Sequence, residues 1–398
     1  MSLDYWAFDP STCKFPAPRV PILPSVFDYS VLPNGNQPSL DGGLRHFSRG
    51  RYALGEAFRL AGLDQQGALL APAYHCVTML DPALVMGAEV QLYALKSDLA
   101  PDPESLDNLY AQSIKPVKAL LATHFFGFVR DFAWLKHWCN DKNVILIEDC
   151  SHVLFTEQYQ ASGAGLYGKF IASSPYKFFP CADGGLLYAP EANLLDGVKT
   201  ESAGLLAELR GVKGTIEKSR LPKISANDIG RIDQQLESIA IGGPVPGVDQ
   251  RVERLAQSTQ YSISYARTTS LLSSRWVVAH SSVNDNVIRR QENYRRWVEA
   301  LSNVPNCHVL YPEISPDVVP YMLPLYLDSP MPYFYWLKQL GVPVWRWDEM
   351  AISNCSVADD YRLHLLHLPC HQSLGEEEMA WMVAAVRTVL TIPIDGIQ

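Results

Sequence analysis

One lysine of the sequence stands among residues that ordinarily exclude a charge. Lys177 lies in the segment SSPYKFFPCADGG (residues 173–185), between prolines and aromatic residues. Lysine is rarely buried without a partner, and apolar surroundings lower its pKa toward the neutral amine. A neutral amine can attack an aldehyde, whereas the alternative is a stem that passes apolar neighbours with its charge in water. Lys177 is therefore a candidate for covalent chemistry.

A carboxylate at the end of an apolar run is the second candidate. In NVILIEDC, four apolar residues (144–147) predict a buried strand, which ends in Glu148 and Asp149. Ligands of open α/β sheets bind outside the carboxyl ends of the strands, so an acid at this place can serve a cofactor. Taken alone, however, Asp149 is more typical of a turn or a helix N-cap.

The third candidate is the stretch SRGRYAL, residues 48–54, which carries Ser48, Gly50 and Arg51 at the start of a predicted helix. The backbone N–H groups at a helix N-terminus bind phosphate, and an arginine adds a charge-assisted contact. On its own this stretch is an ordinary capping sequence.

Together, these three features match what pyridoxal 5′-phosphate (PLP) requires. The lysine amine forms a Schiff base with the aldehyde of PLP, and an aspartate keeps the pyridine nitrogen protonated so that the ring acts as an electron sink. A helix start holds the phosphate. The combination predicts a PLP site that contains Lys177, Asp149 and Gly50.

The elements that must position these residues follow from the apolar pattern. The segment GRYALGEAFRLAGL has the spacing of a helix that ends at Gly62, and RDFAWLKHWCNDK indicates another helix. Short apolar runs predict strands that are buried on both faces: ALLAPA, EVQLYAL, KALLATHFF, NVILIEDC, GKFIASS and GGLLYA. The alternation predicts an α/β fold with a mostly parallel central sheet between helices.

The rest of the chain predicts an arm and a second, smaller domain. Residues 1–43 read as an irregular N-terminal arm, 44–248 as a large PLP-binding α/β domain, and 249–398 as a helical connection with a small α+β domain. Within the large domain, 191–248 is predicted to be helical, with a break at GGPVPGV (242–248). Further predictions are helices at Val252–Leu272 and Asn286–Leu301, then PYMLPLYL, PYFYWLKQLG and VPVWRW as strand, helix and strand, and a closing helix EEEMAWMVAAVRTVL.

Composition narrows the class of protein. The chain has 398 residues, 47% of them hydrophobic and 19% charged, which supports a large packed core. Its net charge of −9, without a basic run, argues against nucleic acid or an anionic membrane as a partner. The longest apolar stretches are shorter than the roughly twenty residues that span a bilayer. Eight dispersed cysteines without a CxxC pair predict neither a metal site nor a disulfide framework, so we expect a cytoplasmic protein.

Several segments resemble one known family. EDCSH (148–152) is similar to its strand–acid motif, and KFFPCADGG (177–185) to its lysine motif with a Gly-Gly pair. LATHFFGF, LLAPAYHC and LHLPCHQSLGEEEMAWMVAAV are similar to three more of its segments. The chain resembles the DegT/DnrJ/EryC1/StrS sugar aminotransferases of the aspartate aminotransferase superfamily (fold type I), from about Ser48 to Leu390. The resemblance implies a three-layer PLP-transferase fold, a smaller C-terminal α+β domain and a homodimer.

The resemblance also implies roles for single residues. Lys177 would bind PLP covalently and move the substrate α-proton, Asp149 would pair with the pyridinium, and His152 would approach the phenolic oxygen of the ring. Gly50 and Arg51, helped by Ser173 or Ser174, would bind the phosphate. His124 matches a strand-end position near the cofactor, and His75 and Cys76 would lie over a ring face, with a packing role as their alternative. The alternative for His152 is a hydrogen-bonded histidine in the turn after the strand.

The implied activity is transfer of an amino group from an amino acid, glutamate by analogy, to a ketone such as a nucleotide-linked keto-sugar. Two departures from the family stand out: Ala172 replaces a frequent serine, and the family's Gly-x-Asn-x-Arg segment is not recognisable in 191–274, where ARTTSLLSS stands. Arg346 is either a substrate ligand or, as we expect, a surface residue on an alternating strand.

Two other functions remain open from the sequence. A lyase or desulfurase on the same fold needs a reactive loop cysteine; Cys181 is too close to Lys177 for that role, which leaves Cys355. A non-catalytic binding or regulatory protein on an aminotransferase fold is the third possibility, because 191–274 is diverged.

Overall fold

The computed structural model describes residues 3–7, 15–27, 40–220, 224–241, 251–255 and 260–393. The predicted break at 242–248 lies outside the described residues. The strands are β1 Leu3–Ala7, β2 Gly43–Phe47, β3 Ala68–Pro72, β4 Glu89–Tyr93, β5 Val117–Thr123, β6 Ile145–Cys150, β7 Phe170–Ser173, β8 Gly185–Ala189, β9 Arg251–Leu255, β10 Cys307–Val309, β11 Met322–Leu327 and β12 Leu365–Pro369. The α-helices are α1 Gly50–Leu60, α2 Val77–Val85, α3 Pro103–Gln112, α4 Ala133–Lys142, α5 Leu205–Ser219, α6 Ala226–Ile229, α7 Ile232–Ile241, α8 Leu272–His280, α9 Val283–Leu301, α10 Tyr333–Gln339, α11 Ser356–His364 and α12 Glu376–Leu390.

A seven-stranded sheet forms the centre of the molecule, in the order β2-β8-β7-β6-β5-β3-β4. The strands from β7 to β4 in this order are parallel, and β8 runs antiparallel to both of its neighbours. Strands β3, β7 and β8 are buried at every position, as expected of a sheet that is covered on both faces. The predicted α/β class with a mostly parallel sheet is confirmed.

The two faces of the sheet have different covers. Alternating side chains such as Leu121 and Ile147 pack with α1 and α2, whereas Leu120 and Leu146 pack on the opposite face with α4 and with residues from the C-terminal part. Successive side chains of a strand point to opposite faces. The next two residues of β6, Glu148 and Asp149, are therefore directed to different faces.

The C-terminal part has its own three-stranded antiparallel sheet, β10-β11-β12. Helices α9, α10 and α12 cover it and share an apolar core that includes Trp297, Trp336 and Trp381. Strand β11 and helices α9, α10 and α12 lie where the sequence predicted them.

Three predictions of secondary structure were wrong. The N-terminal arm is not irregular throughout, because β1 pairs antiparallel with β9. Val252–Leu272 is not a helix: β9, a 3-10 turn at 263–265 and the start of α8 stand in its place. VPVWRW forms only one bridge, between Trp345 and His367, since Pro343 has no N–H to donate to a ladder. Among the described residues, no helix is long and apolar enough to cross a membrane.

Candidate active site

A cleft of about 450 Å³ lies at the carboxyl ends of β5 and β6, beside the starts of α1 and α2. Seven of the ten predicted site residues line it: Gly50, Arg51, Cys76, Asp149, His152, Ser174 and Lys177. Residues 128 positions apart in the chain thus meet because parallel strands end at the same edge of the sheet. These residues are Arg49 and Lys177, which both line the cleft.

Asp149 presents a buried carboxylate to this cleft. The residue is 2% exposed, and its Oδ1 accepts a hydrogen bond of 2.8 Å from the backbone N–H of Ser151. Its neighbour on β5 is Thr123, which lines the same cleft. A buried anion at this position can pair with a protonated pyridine nitrogen.

Glu148, the preceding residue, lies on the other face and is fully engaged there. Its two oxygens accept from the backbone N–H groups of Gly165, Tyr167 and Gly168 at 2.5–2.8 Å. His124 contributes a fourth bond, 3.2 Å from Nε2 to the carboxylate. Although His124, Glu148 and Cys150 stand close enough to share a metal ion, these donors already occupy the carboxylate, so the cluster reads as structural.

His152 combines burial with an unused hydrogen-bonding atom. The residue is 7% exposed, and its Nδ1 is buried without a partner among the described residues. Its ring packs 4.4 Å from the ring of Tyr321 and 5.5 Å from that of Trp347. Burial, followed by the charge of Lys177, holds the pKa of His152 well below its usual value, so the ring is neutral at pH 7.

Lys177 ends a 3-10 turn, Pro175–Lys177, that follows β7. The turn is closed by a 3.0 Å bond from the backbone N–H of Lys177 to the carbonyl of Ser174. The side chain is half-buried, and Nζ lies 5.5 Å from the centre of the Tyr321 ring. The predicted aromatic setting of the amine thus includes Tyr321, which comes from the C-terminal part of the chain.

The start of α1 forms the opposite side of the cleft. Gly50 is its first residue, and the N-cap residue, Arg49, makes no side-chain capping bond. A Cβ on Gly50 would stand 2.1 Å from Oγ of Ser174, so only glycine allows this approach. Ser174 Oγ in turn donates to Ser151 Oγ at 3.1 Å. The start of α1 and two serine hydroxyls therefore line one small volume of the cleft.

The two arginines beside this helix start already have protein contacts. Arg51 donates to the carbonyl of Gln260 at 2.5 Å, and Arg49 donates to the carbonyl of Ala182 at 2.9 Å. The guanidinium of Arg49 also lies 4.7 Å from the centre of the Tyr176 ring. Both arginines line the cleft, so they contribute positive charge to it even where their hydrogen bonds go elsewhere.

Three predicted residues do not line the cleft. His75 is fully buried, donates from Nδ1 to the carbonyl of Ala73 and accepts at Nε2 from the N–H of Ala351. His124 accepts at Nδ1 from the N–H of Arg130 and bonds Glu148 on the far face. Ser173 donates to the carbonyl of Phe155. Each of these three side chains therefore has its hydrogen-bond partners outside the cleft.

Arg346 and Cys355 are also placed differently from the expectations. Arg346 is not a surface residue: it is 6% exposed, pairs with Asp348 at 2.5 Å and lies over the ring of Phe334. Cys355 is 4% exposed and caps α11, where its Sγ accepts from the N–H of Ala358. A buried, hydrogen-bonded thiol is not the reactive loop cysteine that a desulfurase needs.

Sequence reasoning missed several residues of the cleft. Ser151 lies inside the EDCSH segment and Arg49 inside SRGRYAL, so the motifs themselves contain the signal for both residues. Tyr321 does not line the cleft, but its ring lies 5.5 Å from Lys177 Nζ. The sequence around Lys177 carries no signal for it, because Tyr321 comes just before β11, 144 residues later.

The groups of the cleft fit PLP. An orphaned nitrogen on His152, a buried carboxylate, a half-buried amine and a helix start with two hydroxyls are the partners that its ring oxygen, ring nitrogen, aldehyde and phosphate require. The cleft therefore contains the kinds of group that a PLP site requires.

Comparison with known proteins agrees with this class. Residues 46–216 match the DegT/DnrJ/EryC1/StrS aminotransferase family, which confirms the resemblance seen in the sequence. GDP-perosamine synthase from Vibrio cholerae is 23% identical over 169 residues; the match covers 41% of this chain and 44% of that relative, less than half of each.

Solved structures with the same fold cover much more of the chain. A DegT DnrJ EryC1 StrS aminotransferase from Brucella abortus superposes with a TM-score of 0.57 at 16% identity, over 88% of this chain and 86% of the other. NtdA from Bacillus subtilis, solved with bound PMP, superposes with a TM-score of 0.57 at 14% identity, over 88% and 73% of the two chains. The three-layer fold expected from the sequence is thus confirmed.

Proposed function

We propose that this protein is a PLP-dependent aminotransferase that moves an amino group from an amino acid, glutamate in our proposal, to a nucleotide-linked keto-sugar. The observation that carries the proposal is the meeting of Lys177, Asp149 and the start of α1 around one cleft. The family match over residues 46–216 supports the reaction type, and GDP-perosamine synthase among the relatives supports a sugar acceptor.

Each group has a chemical task in this proposal. Bound PLP supplies an electron sink for the substrate α-carbon. Lys177 Nζ provides the amine that holds the cofactor and moves the α-proton, and the Asp149 carboxylate keeps the pyridine nitrogen protonated. His152 Nδ1 would contact the phenolic oxygen, and its neutral ring adds no positive charge to the site.

The cradle at α1 would hold the phosphate. Gly50 and Arg51 open the helix, where backbone N–H groups have no partner in the preceding turn, and the hydroxyls of Ser151 and Ser174 line the same cleft. The positive end of the helix dipole favours the phosphate charge. His75, His124 and Ser173 take no direct part in this scheme, since their polar atoms are bonded elsewhere.

The two candidate cysteines lack the reactivity that a desulfurase needs, which favours transamination. Burial raises the pKa of Cys181 to about 12, and Cys355 is tied into a helix cap. Seven cysteines of the described residues are free thiols, which supports a reducing compartment, and we propose a cytoplasmic homodimer whose partners are the small-molecule donor and acceptor.

The experiment that tests the proposal is cofactor chemistry on Lys177. Purified wild-type protein with PLP should be yellow, and borohydride should fix the cofactor to the peptide that contains Lys177. Lys177→Ala should lose the covalent bond and the activity while keeping the fold, whereas the exposed Lys218→Ala should retain all three. A colourless wild-type protein would exclude every PLP-dependent reaction.

A screen of half-reactions then defines the substrates. Amino acids that bleach the yellow band are donors, and ketones that restore it are acceptors. Bleaching by glutamate and recovery with a nucleotide-linked keto-sugar are the results we expect. If the protein stays yellow with every amino acid, transamination is the part of the proposal that fails.

A further inference from the structure

A buried arginine lies directly behind the lysine turn and takes no part in the scheme above. Arg290, on α9, is 1% exposed, and no carboxylate pairs with it among the described residues. All of its acceptors are amide oxygens. Burying a guanidinium destabilises the folded protein unless its N–H groups are hydrogen-bonded. The positions of the guanidinium and of the carbonyl and amide oxygens that accept from it therefore depend on each other.

The acceptors of Arg290 belong to three separate segments of the chain. Nη2 donates to the carbonyls of Lys177 at 3.3 Å and Phe178 at 3.4 Å. Nη1 donates to the carbonyls of Pro320 at 3.0 Å and Tyr321 at 3.4 Å. Its Nε donates to Oε1 of Gln372 at 2.8 Å. One side chain therefore joins the lysine turn to residues before β11 and after β12.

Gln372 adds a second connection to the same turn. Its Nε2 donates to the carbonyl of Phe178 at 2.7 Å, while its Oε1 receives the bond from Arg290. The guanidinium also lies 4.7 Å from the centre of the Phe178 ring. Two buried side chains, Arg290 and Gln372, thus donate to the backbone carbonyl of Phe178, directly after Lys177.

The segments that Arg290 joins are those that carry the groups around the amine. Tyr321, whose carbonyl accepts from Arg290, has its ring 5.5 Å from Lys177 Nζ and 4.4 Å from the ring of His152. Its own N–H donates to the carbonyl of Phe126 at 2.8 Å. A shift of the guanidinium would therefore move the amine and its aromatic wall relative to each other.

We propose that Arg290, assisted by Gln372, is a positioning residue that fixes the backbone of Lys177 and Tyr321 so that the amine meets the cofactor aldehyde in a productive geometry. Burial lowers the pKa of Arg290 to about 10, which still leaves it charged at pH 7. Charge matters here because a hydrogen bond from a cation to a carbonyl is stronger than a neutral one. The inference rests on the proposed PLP chemistry.

The test measures bond formation apart from cofactor binding, in the full-length protein. The variants are Arg290→Lys, Arg290→Met and Gln372→Met, and the matched control is Arg296→Met on the same helix, whose partner Glu376 is exposed. The first readout is the rate at which added PLP forms its covalent bond with Lys177. The second is the affinity for PMP, which has no aldehyde and therefore reports the non-covalent contacts to the ring and phosphate without the bond to Lys177. The third is thermal unfolding.

We expect Arg290→Lys to slow bond formation about tenfold or more, because an ångström of misplacement can cost about a hundredfold in rate. Gln372→Met should have a smaller effect of the same kind, and Arg296→Met none. Affinity for PMP should stay near the wild-type value in all of them, since the α1 cradle does not contact Arg290.

Two outcomes would overturn the positioning role. One is wild-type bond formation in folded Arg290→Lys, and the other is a loss of PMP affinity as large as the loss in rate, which would mean a general disturbance of the cleft. If Arg290→Met does not fold, Arg290→Lys and Gln372→Met decide the question. A wild-type protein that never forms the bond would instead overturn the proposed function itself.

Discussion

Glu148 and Asp149 are adjacent carboxylates on β6 that face opposite sides of the same sheet. Glu148 accepts three backbone N–H bonds and one from His124, all on the α4 side. Asp149 accepts one backbone bond, from Ser151, and lines the cleft on the α1 side. One carboxylate is saturated by the protein, while the other retains capacity for a ligand.

The histidines repeat this difference. Both ring nitrogens of His124 are bonded on the Glu148 side, whereas Nδ1 of His152 is buried without a partner among the described residues. Buried polar atoms of native proteins are usually hydrogen-bonded, so an unpaired nitrogen on a residue that lines the cleft can bond a ligand or a water there. The polar groups on the Glu148 face of β6 therefore have hydrogen-bond partners within the protein, whereas those on the Asp149 face can still bond a ligand. We assign the Asp149 face to the cofactor.

Asp149→Asn should have the largest effect on activity. The substitution keeps an oxygen for the Ser151 N–H but removes the charge that would hold the pyridine nitrogen protonated. We expect transamination to fall about a thousandfold, the scale of losing one electrostatic stabiliser, with little change in the free energy of unfolding. Activity within tenfold of wild type would contradict the assignment of this face.

Glu148→Gln should have the opposite profile. Its new amide N–H₂ would oppose backbone donors that now point at the carboxylate, and a buried hydrogen bond to a charged group contributes about 1.5–3 kcal/mol. We expect the free energy of unfolding to drop by about 3 kcal/mol in denaturant titrations, while the folded protein still binds PLP. A variant of normal stability that has lost PLP binding would reverse the roles of the two acids.

Gly50→Ala should weaken cofactor binding about tenfold, or by about 1.4 kcal/mol, because the new Cβ would displace Ser174 Oγ from the cradle. The matched change is Gly214→Ala in α5, where nothing lies within 4 Å of the added Cβ. There we expect a gain of roughly 0.5–1 kcal/mol in unfolding free energy and unchanged PLP affinity. Equal effects of the two alanines on PLP affinity would remove the cradle from the site.

The smallest effect should be the contribution of His152 to the pH dependence of the unfolding free energy. Its pKa is lowered well below 6.5 in the folded protein, so below about pH 6.5 the unfolded chain binds a proton that the folded chain does not. Stability should therefore fall as the pH falls, by at most about 1.4 kcal/mol per pH unit from this residue. His152→Gln should flatten the pH dependence of unfolding by that share; an unchanged slope from pH 6.5 to 5 would contradict the burial of a neutral ring.

Much of the site was predictable because its central residues lie in short contiguous motifs. Lys177 was visible from its aromatic neighbours and Asp149 from the apolar strand before it, and both line the cleft. Gly50 was visible as the start of an amphipathic helix. The contacts of Arg290 and Gln372 with the lysine turn could not be predicted from sequence, because these residues bond Phe178 across 112 and 194 positions of the chain.

The errors have physical causes as well. The sequence predicts a helix that begins at Val252, but residues 252–255 pair with the distant strand β1. The alternating pattern of VPVWRW predicted a surface position for Arg346, yet the side chain is buried and pairs with Asp348. In both places, a long-range or paired contact overrode the local preference.

The sequence by itself predicted six of the seven strands of the central sheet and the helix that begins at Gly50, because hydrophobic periodicity is a local property of the chain. Only the tertiary structure decided which of the histidines that follow the strands face the cleft. His75 and His124 found partners at Ala351 and Glu148, and His152 did not. The free hydrogen-bonding capacity of a side chain depends on every segment packed around it, and no single segment of the sequence contains that information.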